Sequence, residues 1–147
     1  MPNKTPRPTR IYVASSWRNT IQQDIVRALR RAGHEVYDFR NPRQGDTGFH
    51  WSAIDGDWLT WTPRQFREAL KHPIAQAGFK SDHDAMEWAN TCVLVLPCGR
   101  SAHLEAGEFI GKGKRLFVYT ETPCEPELMY LGATEIALSI AELLEAM

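Results

Sequence analysis

The sequence predicts one domain built on an open, doubly wound α/β sheet of about five short parallel strands. Three observations carry the prediction. Thr91–Leu96 (TCVLVL) is a short apolar run rich in β-branched residues and closed by Pro97 and Gly99, the pattern of a strand covered on both faces. Arg10–Ala14, a helical pattern and Glu35–Phe39 follow one another with a short turn at Gly33, which makes a right-handed βαβ unit. Thr91–Leu96 is itself followed by helical spacing and by a further apolar run, Arg115–Tyr119.

Composition narrows the class. The 147 residues suffice for a domain with a sizeable core. With 43% hydrophobic and 24% charged residues the chain reads as an ordinary globular protein. Lys+Arg (17) balances Asp+Glu (18), so no global charge footprint points to nucleic acid or to an anionic membrane. Arg27, Arg30 and Arg31 lie on or near one face of a predicted helix and read as a solvated face. No stretch reaches the roughly 18 apolar residues of a membrane span, and MPNKTPRPTR lacks the apolar core of a signal peptide. Cys92, Cys98 and Cys124 show neither disulfide nor zinc spacing. Cys92 reads as a packing residue, and the cytoplasm is the expected compartment. His34, His50, His72, His83 and His103 form no HExxH pattern, and no metal site is expected.

Residues 1–9 carry three prolines and read as a loose tail, leaving 10–147 as the domain. Arg10–Ala14 (RIYVA) is the first strand and breaks at Ser15-Ser16-Trp17-Arg18-Asn19-Thr20. Ile21, Ile25, Ala28, Leu29 and Ala32 then mark a helix face that Gly33 ends as the C′ residue. A strand, a small polar loop and a helix N-terminus form an anion-binding arrangement of free N–H groups, hydroxyls and a guanidinium. Ser15, Ser16 and Thr20 serve equally well as helix caps. Neither GxGxxG nor GxxxxGK[ST] is present.

Glu35–Phe39 is the second strand. Arg40–Thr62 is long and irregular, with Phe49, Trp51, Trp58 and Trp61 among Asp46, Asp55 and Asp57. Loops of that length are functional or disordered, and this one is too aromatic for disorder. Its rings suit a pocket wall that stacks a flat ligand, or they fasten the loop to the domain or to another subunit. Thr62 and Pro63 open the next helix as N-cap and N1, with Phe66, Ala69 and Leu70 on its apolar side. Pro73 is expected to interrupt or kink it. Phe79–Ala89 resumes helical spacing, with Ser81 or Asp82 as the cap, which places Asp82 and Asp84 near a helix N-terminus.

After the third strand, Ser101 is the expected N-cap of a helix carrying Leu104, Ala106, Phe109 and Ile110. Glu105 then lies in the first or second turn. It either complements the helix dipole or faces the ligand position outside the carboxyl ends of the strands. Arg115–Tyr119 follows the turn Gly111-Lys112-Gly113. Thr120–Pro126 is a loop, Glu127–Leu131 a helical turn, Glu135–Ile136 a short fifth strand, and Ser139–Met147 an amphipathic helix with Ile140, Leu143 and Leu144. The default topology is a flavodoxin-like (Rossmann-like) sheet of order 2-1-3-4-5.

Four segments, in order, resemble the nucleoside 2-deoxyribosyltransferase superfamily, which includes base-exchanging transferases and 2′-deoxynucleoside 5′-monophosphate N-glycosidases. IYVASSWRN is similar to the family's first strand and substrate loop; Ser16, Trp17, Arg18 and Asn19 fall on a phosphate-holding Ser-x-Arg-Gly run, with Asn19 in place of glycine. SDHDAMEWAN resembles the segment whose catalytic aspartate precedes an Ala-Asp by eight residues; Asn90 replaces the second acid, and counting back gives Asp82. GRSAHLEAGEFIGKGK resembles the helix whose glutamate is the nucleophile, here Glu105, followed by Gly107. ELMYLGATE is similar to a run through which a neighbouring subunit completes the site, with Glu127 where the transferases have asparagine. The loop before Glu105 is one residue shorter than in the family, and the 39–61 segment matches no familiar substrate pocket.

The resemblance implies an enzyme that cleaves the base–sugar bond of a (deoxy)nucleoside 5′-monophosphate without a cofactor or metal. Glu105 is then the nucleophile and Asp82 the group managing the proton at the base. Tyr12 orients Glu105. Ser15, Ser16, Trp17, Arg18, Asn19, Asp84, Gly99, Arg100 and Ser101 bind substrate, while Glu127 and Met129 serve a neighbouring subunit in a homo-oligomer. Base exchange is the alternative, and a non-catalytic nucleotide-sensing domain of the same fold is the second.

Overall fold

The computed structural model describes residues 8–147. The expected tail, residues 1–9, lies outside the described residues for its first seven positions. Thr9 is tied down: its N–H donates to His34 Nδ1 (3.3 Å) and its carbonyl accepts the Glu35 N–H (3.0 Å).

Five strands, β1 (Arg10–Ala14), β2 (Glu35–Asp38), β3 (Thr91–Val95), β4 (Arg115–Tyr119) and β5 (Glu135–Ala137), form one parallel sheet of order β2-β1-β3-β4-β5. The helices are α1 (Gln22–Arg31), α2 (Pro63–Ala69), α3 (Pro73–Trp88), α4 (Arg100–Gly111) and α5 (Ile140–Ala146), with 3-10 turns at Trp51–Ala53, Trp58–Thr60 and Leu128–Gly132. No helix among the described residues is long and apolar enough to cross a membrane.

Alternation along the strands sorts two cores. Ile11, Val13, Val93, Val95, Phe117 and Tyr119 meet Ile25, Val26 and Leu29 of α1 and Leu143 of α5. Tyr12, Ala14, Cys92, Leu94, Leu116 and Val118 meet Ala85 and Met86 of α3 and Ala102, Ala106 and Phe109 of α4. Crossovers thus go to opposite faces on either side of β1 and β3, and this is the switch point where open α/β sheets place their ligands. Gly33 takes φ +93° after α1, as its C′ position requires.

Three expectations need correction. Pro73 does not break a helix but opens one: at N1 its missing N–H costs nothing, and His72 Nδ1 accepts the Ile74 N–H (3.1 Å) as the cap. Helix α3 then runs unbroken to Trp88, so neither Ser81 nor Asp82 caps anything, and Asp82 and Asp84 sit in its second half. The N-cap of α4 is Gly99, not Ser101, and it brings no side-chain cap. Thr62 does cap α2, in a capping box with Gln65.

Candidate active site

The carboxylates expected to act together are brought together on the α3/α4 face. Tyr12 is buried in β1, pairs in register with Tyr37 of β2 and stacks on it (centroids 5.3 Å, 15° between planes). Phe109 closes on Tyr12 from α4 at 5.9 Å. Glu105, one turn before Phe109, therefore points its side chain at the Tyr12 hydroxyl. From α3, Asp82 accepts a hydrogen bond from the Tyr37 hydroxyl (2.8 Å).

Burial and mutual repulsion set the protonation of this pair. Glu105 is pushed up to about 8, first by desolvation and then by the Asp82 charge, with the Tyr12 hydroxyl pulling the other way. Asp82 is also raised by burial, against the Tyr37 hydrogen bond that favours its charged form. Tyr12 is held far above its ordinary value by burial and by both carboxylates, so it acts only as a neutral donor. Burial likewise takes the Cys98 thiol up to about 12, leaving it inert as a nucleophile at neutral pH.

The two loops at the switch point are fastened by Asn19. Its amide donates to the carbonyls of Val95 (3.4 Å) and Pro97 (3.1 Å), and its Oδ1 accepts the N–H groups of Ile21 (2.9 Å) and Gln22 (2.8 Å). Two N–H groups at the start of α1 are thereby paired, and Asn19 is 3% exposed. Ser15 Oγ donates to the Val95 carbonyl (2.8 Å), and Ser16 Oγ accepts the Arg18 N–H (3.2 Å). The N-terminus of α4 also has no side-chain cap, and Gly99, Arg100 and Ser101 there are solvent-facing. Arg18 and Arg100 are exposed.

Other candidates separate from the site. Asp84 is exposed and pairs with Lys80 one turn away. Glu127 accepts the Met129 N–H (3.0 Å), and both side chains face solvent in this chain. From the same turn Tyr130 reaches His103 Nε2 (2.8 Å), whose Nδ1 donates to the Gly99 carbonyl (2.8 Å). Among the described residues His83, Glu87 and Glu108 could hold a metal ion, but the Lys112 ammonium already bridges both carboxylates.

Sequence reasoning missed Arg40 and Tyr37. Arg40 donates to the carbonyls of Ser16 (2.9 Å), Trp17 (2.8 Å) and Asn19 (2.8 Å) while lying over the rings of Trp17 and Phe39. Tyr37 is signalled by alternation alone: in EVYDF it falls on the face opposite Val36, an aromatic ring with a polar tip on a buried side. Most of the loop aromatics fasten the loop. Trp51 meets Phe49, Trp61 and Phe66 edge-on, and Phe49 lies against Gly78 of α3.

The class this architecture defines is the five-stranded, doubly wound sheet with carboxylates at its β1/β3 switch point. Among solved structures the chain is similar to a 2-deoxyribosyltransferase from Bacillus psychrosaccharolyticus, at 18% identity and a TM-score of 0.62 over 91% of this chain and 89% of that one. It is also similar to the Clostridium botulinum CMP N-glycosidase BcmB, at 16% identity and a TM-score of 0.46 over 92% and 94%. At that identity the likeness to the first of these is one of fold. No family model and no curated protein matches the chain.

Proposed function

We propose that the protein cleaves the base–sugar bond of a (deoxy)nucleoside 5′-monophosphate. The observation that carries the reading is the half-buried, mutually repelling pair Glu105 and Asp82, with the Tyr37 hydroxyl donating to Asp82 and Tyr12 facing Glu105. As the C1′–N bond breaks, positive charge develops at C1′, and the Glu105 carboxylate stabilises it and bonds to C1′. Asp82 gives its proton to the departing base, then takes one from the water that attacks C1′ and frees Glu105. The working state holds one proton between the two acids. The profile of kcat/KM against pH is therefore a bell whose alkaline limb lies near the Glu105 value of about 8.

A 5′-phosphate is favoured by the uncapped N-terminus of α4, with Arg100 and Ser101 in its first turn and Arg18 exposed in the loop after β1. Transfer to a second base is the other reading, supported by the fold likeness to a 2-deoxyribosyltransferase. Incubation with nucleosides and 5′-monophosphates, ribo and deoxy, with and without an acceptor base, separates the two. Free base from monophosphates alone is the expected result. Product only with acceptor makes the protein a transferase. No release under any condition contradicts both and leaves a nucleotide-binding domain.

A further inference from the structure

We propose that Arg43, Ser81 and Tyr37 form a directed hydrogen-bond chain that ends on Asp82 and fixes which carboxyl oxygen carries the transferable proton. The inference rests on the role given to Asp82 above. Arg43 Nη2 lies 3.0 Å from Ser81 Oγ, and a guanidinium can only donate. Ser81 thus accepts from Arg43, and because the Tyr37 proton goes to Asp82 it is Ser81 that donates across the 3.2 Å contact to the Tyr37 oxygen. The Tyr37 hydroxyl then has one proton to give, and it goes to Asp82 Oδ1 at 2.8 Å.

The origin of the chain is itself anchored. Arg43 Nη1 is held by Asp46 Oδ2 (2.7 Å), and Asp46 Oδ1 accepts the Gly48 N–H (2.9 Å). With Tyr37 donating, Asp82 Oδ1 is the acceptor, and a proton on the carboxyl resides on Oδ2. Among the described residues Oδ2 has no hydrogen-bond partner, so it is left for the leaving base. The titratable and charged groups facing Asp82 are Tyr37 from β2, Tyr12 from β1, Glu105 from α4, and Asp46 with Arg43 from the segment after β2. Tyr37, Ser81 and Arg43 are positioning residues, since none is required to touch the reacting atoms.

The test is a carbon-13 NMR titration of the Asp82 side-chain carboxyl in the full chain, assigned with Asp82→Asn. Tyr37→Phe keeps the ring stacked on Tyr12 and removes only the donor, so the midpoint is expected to rise by about one pH unit. Arg43→Ala raises it by less, and adds nothing in a Ser81→Ala background. An unmoved midpoint in Tyr37→Phe overturns the proposal. So does an Arg43→Ala effect that survives Ser81→Ala, since the charge would then act through space. The titration needs no turnover: it decides the chain even if no base is ever released, and base release decides the function separately.

Discussion

Glu105 is a carboxyl that folding holds in the wrong state for its ordinary chemistry. Its ordinary value of 4.5 is raised to about 8, so the folded protein binds a proton that the unfolded chain releases. That contribution is fully present below about pH 4.5 and is lost as pH rises through 8. Glu105→Gln removes the penalty. Urea unfolding should show the variant equal to the parent near pH 4 and more stable near pH 9, by on the order of 2 kcal/mol given the partial exposure of the side chain. A constant difference across that range would mean that Glu105 is not the strained acid. The same electrostatics predict that Asp82→Asn lowers the Glu105 midpoint, because the Asp82 charge is the second cause of its elevation.

At the scale of elements, the site depends on how the loops after β1, β2 and β3 are fastened to one another. Asn19→Ala strips partners from backbone groups of the first and third loops and should cost about 1–3 kcal/mol in urea unfolding. Gly48 has φ +83°, and a Cβ there would collide with the Phe39 carbonyl and the Trp17 ring. Gly48→Ala should therefore destabilise by more than about 1 kcal/mol and loosen the loop that Trp17 and Arg40 share. A loss confined to a few tenths in either variant would show that these fasteners are dispensable.

Strand sequence, helix periodicity and the Gly33 turn made the sheet legible, because burial on both faces leaves a pattern that local sequence carries by itself. Caps were less legible. Asn19 and His72 cap through geometry that depends on partners in other segments or on a proline read as a breaker. Ser101 looked like a cap and stands inside the first turn. The pairing of Glu105 with Asp82 was reached by resemblance. Tyr37 and Arg40 were not reached, because their partners lie across the sheet or in another loop and no local spacing encodes them.

For the whole molecule, the described face around the Leu128–Gly132 turn remains apolar and open. Leu104, Leu128, Met129 and Leu131 are each at least 72% exposed. A second copy covering that face agrees with the neighbouring-subunit role expected for Glu127 and Met129. Light scattering should give a mass above the 16.7 kDa of one chain, and Leu131→Asp should return it to one chain. A monomer at working concentration would contradict a shared site.

The central claim is that Glu105 attacks C1′, and the most direct measurement is base release by Glu105→Gln beside the parent protein on the preferred monophosphate. The variant keeps the size of the side chain and one oxygen to accept from Tyr12, and replaces the carboxylate nucleophile by a neutral amide. The account predicts a loss of about a thousandfold or more in kcat with the fold intact. A variant within tenfold of the parent would contradict it and leave Glu105 a half-buried acid without a catalytic task.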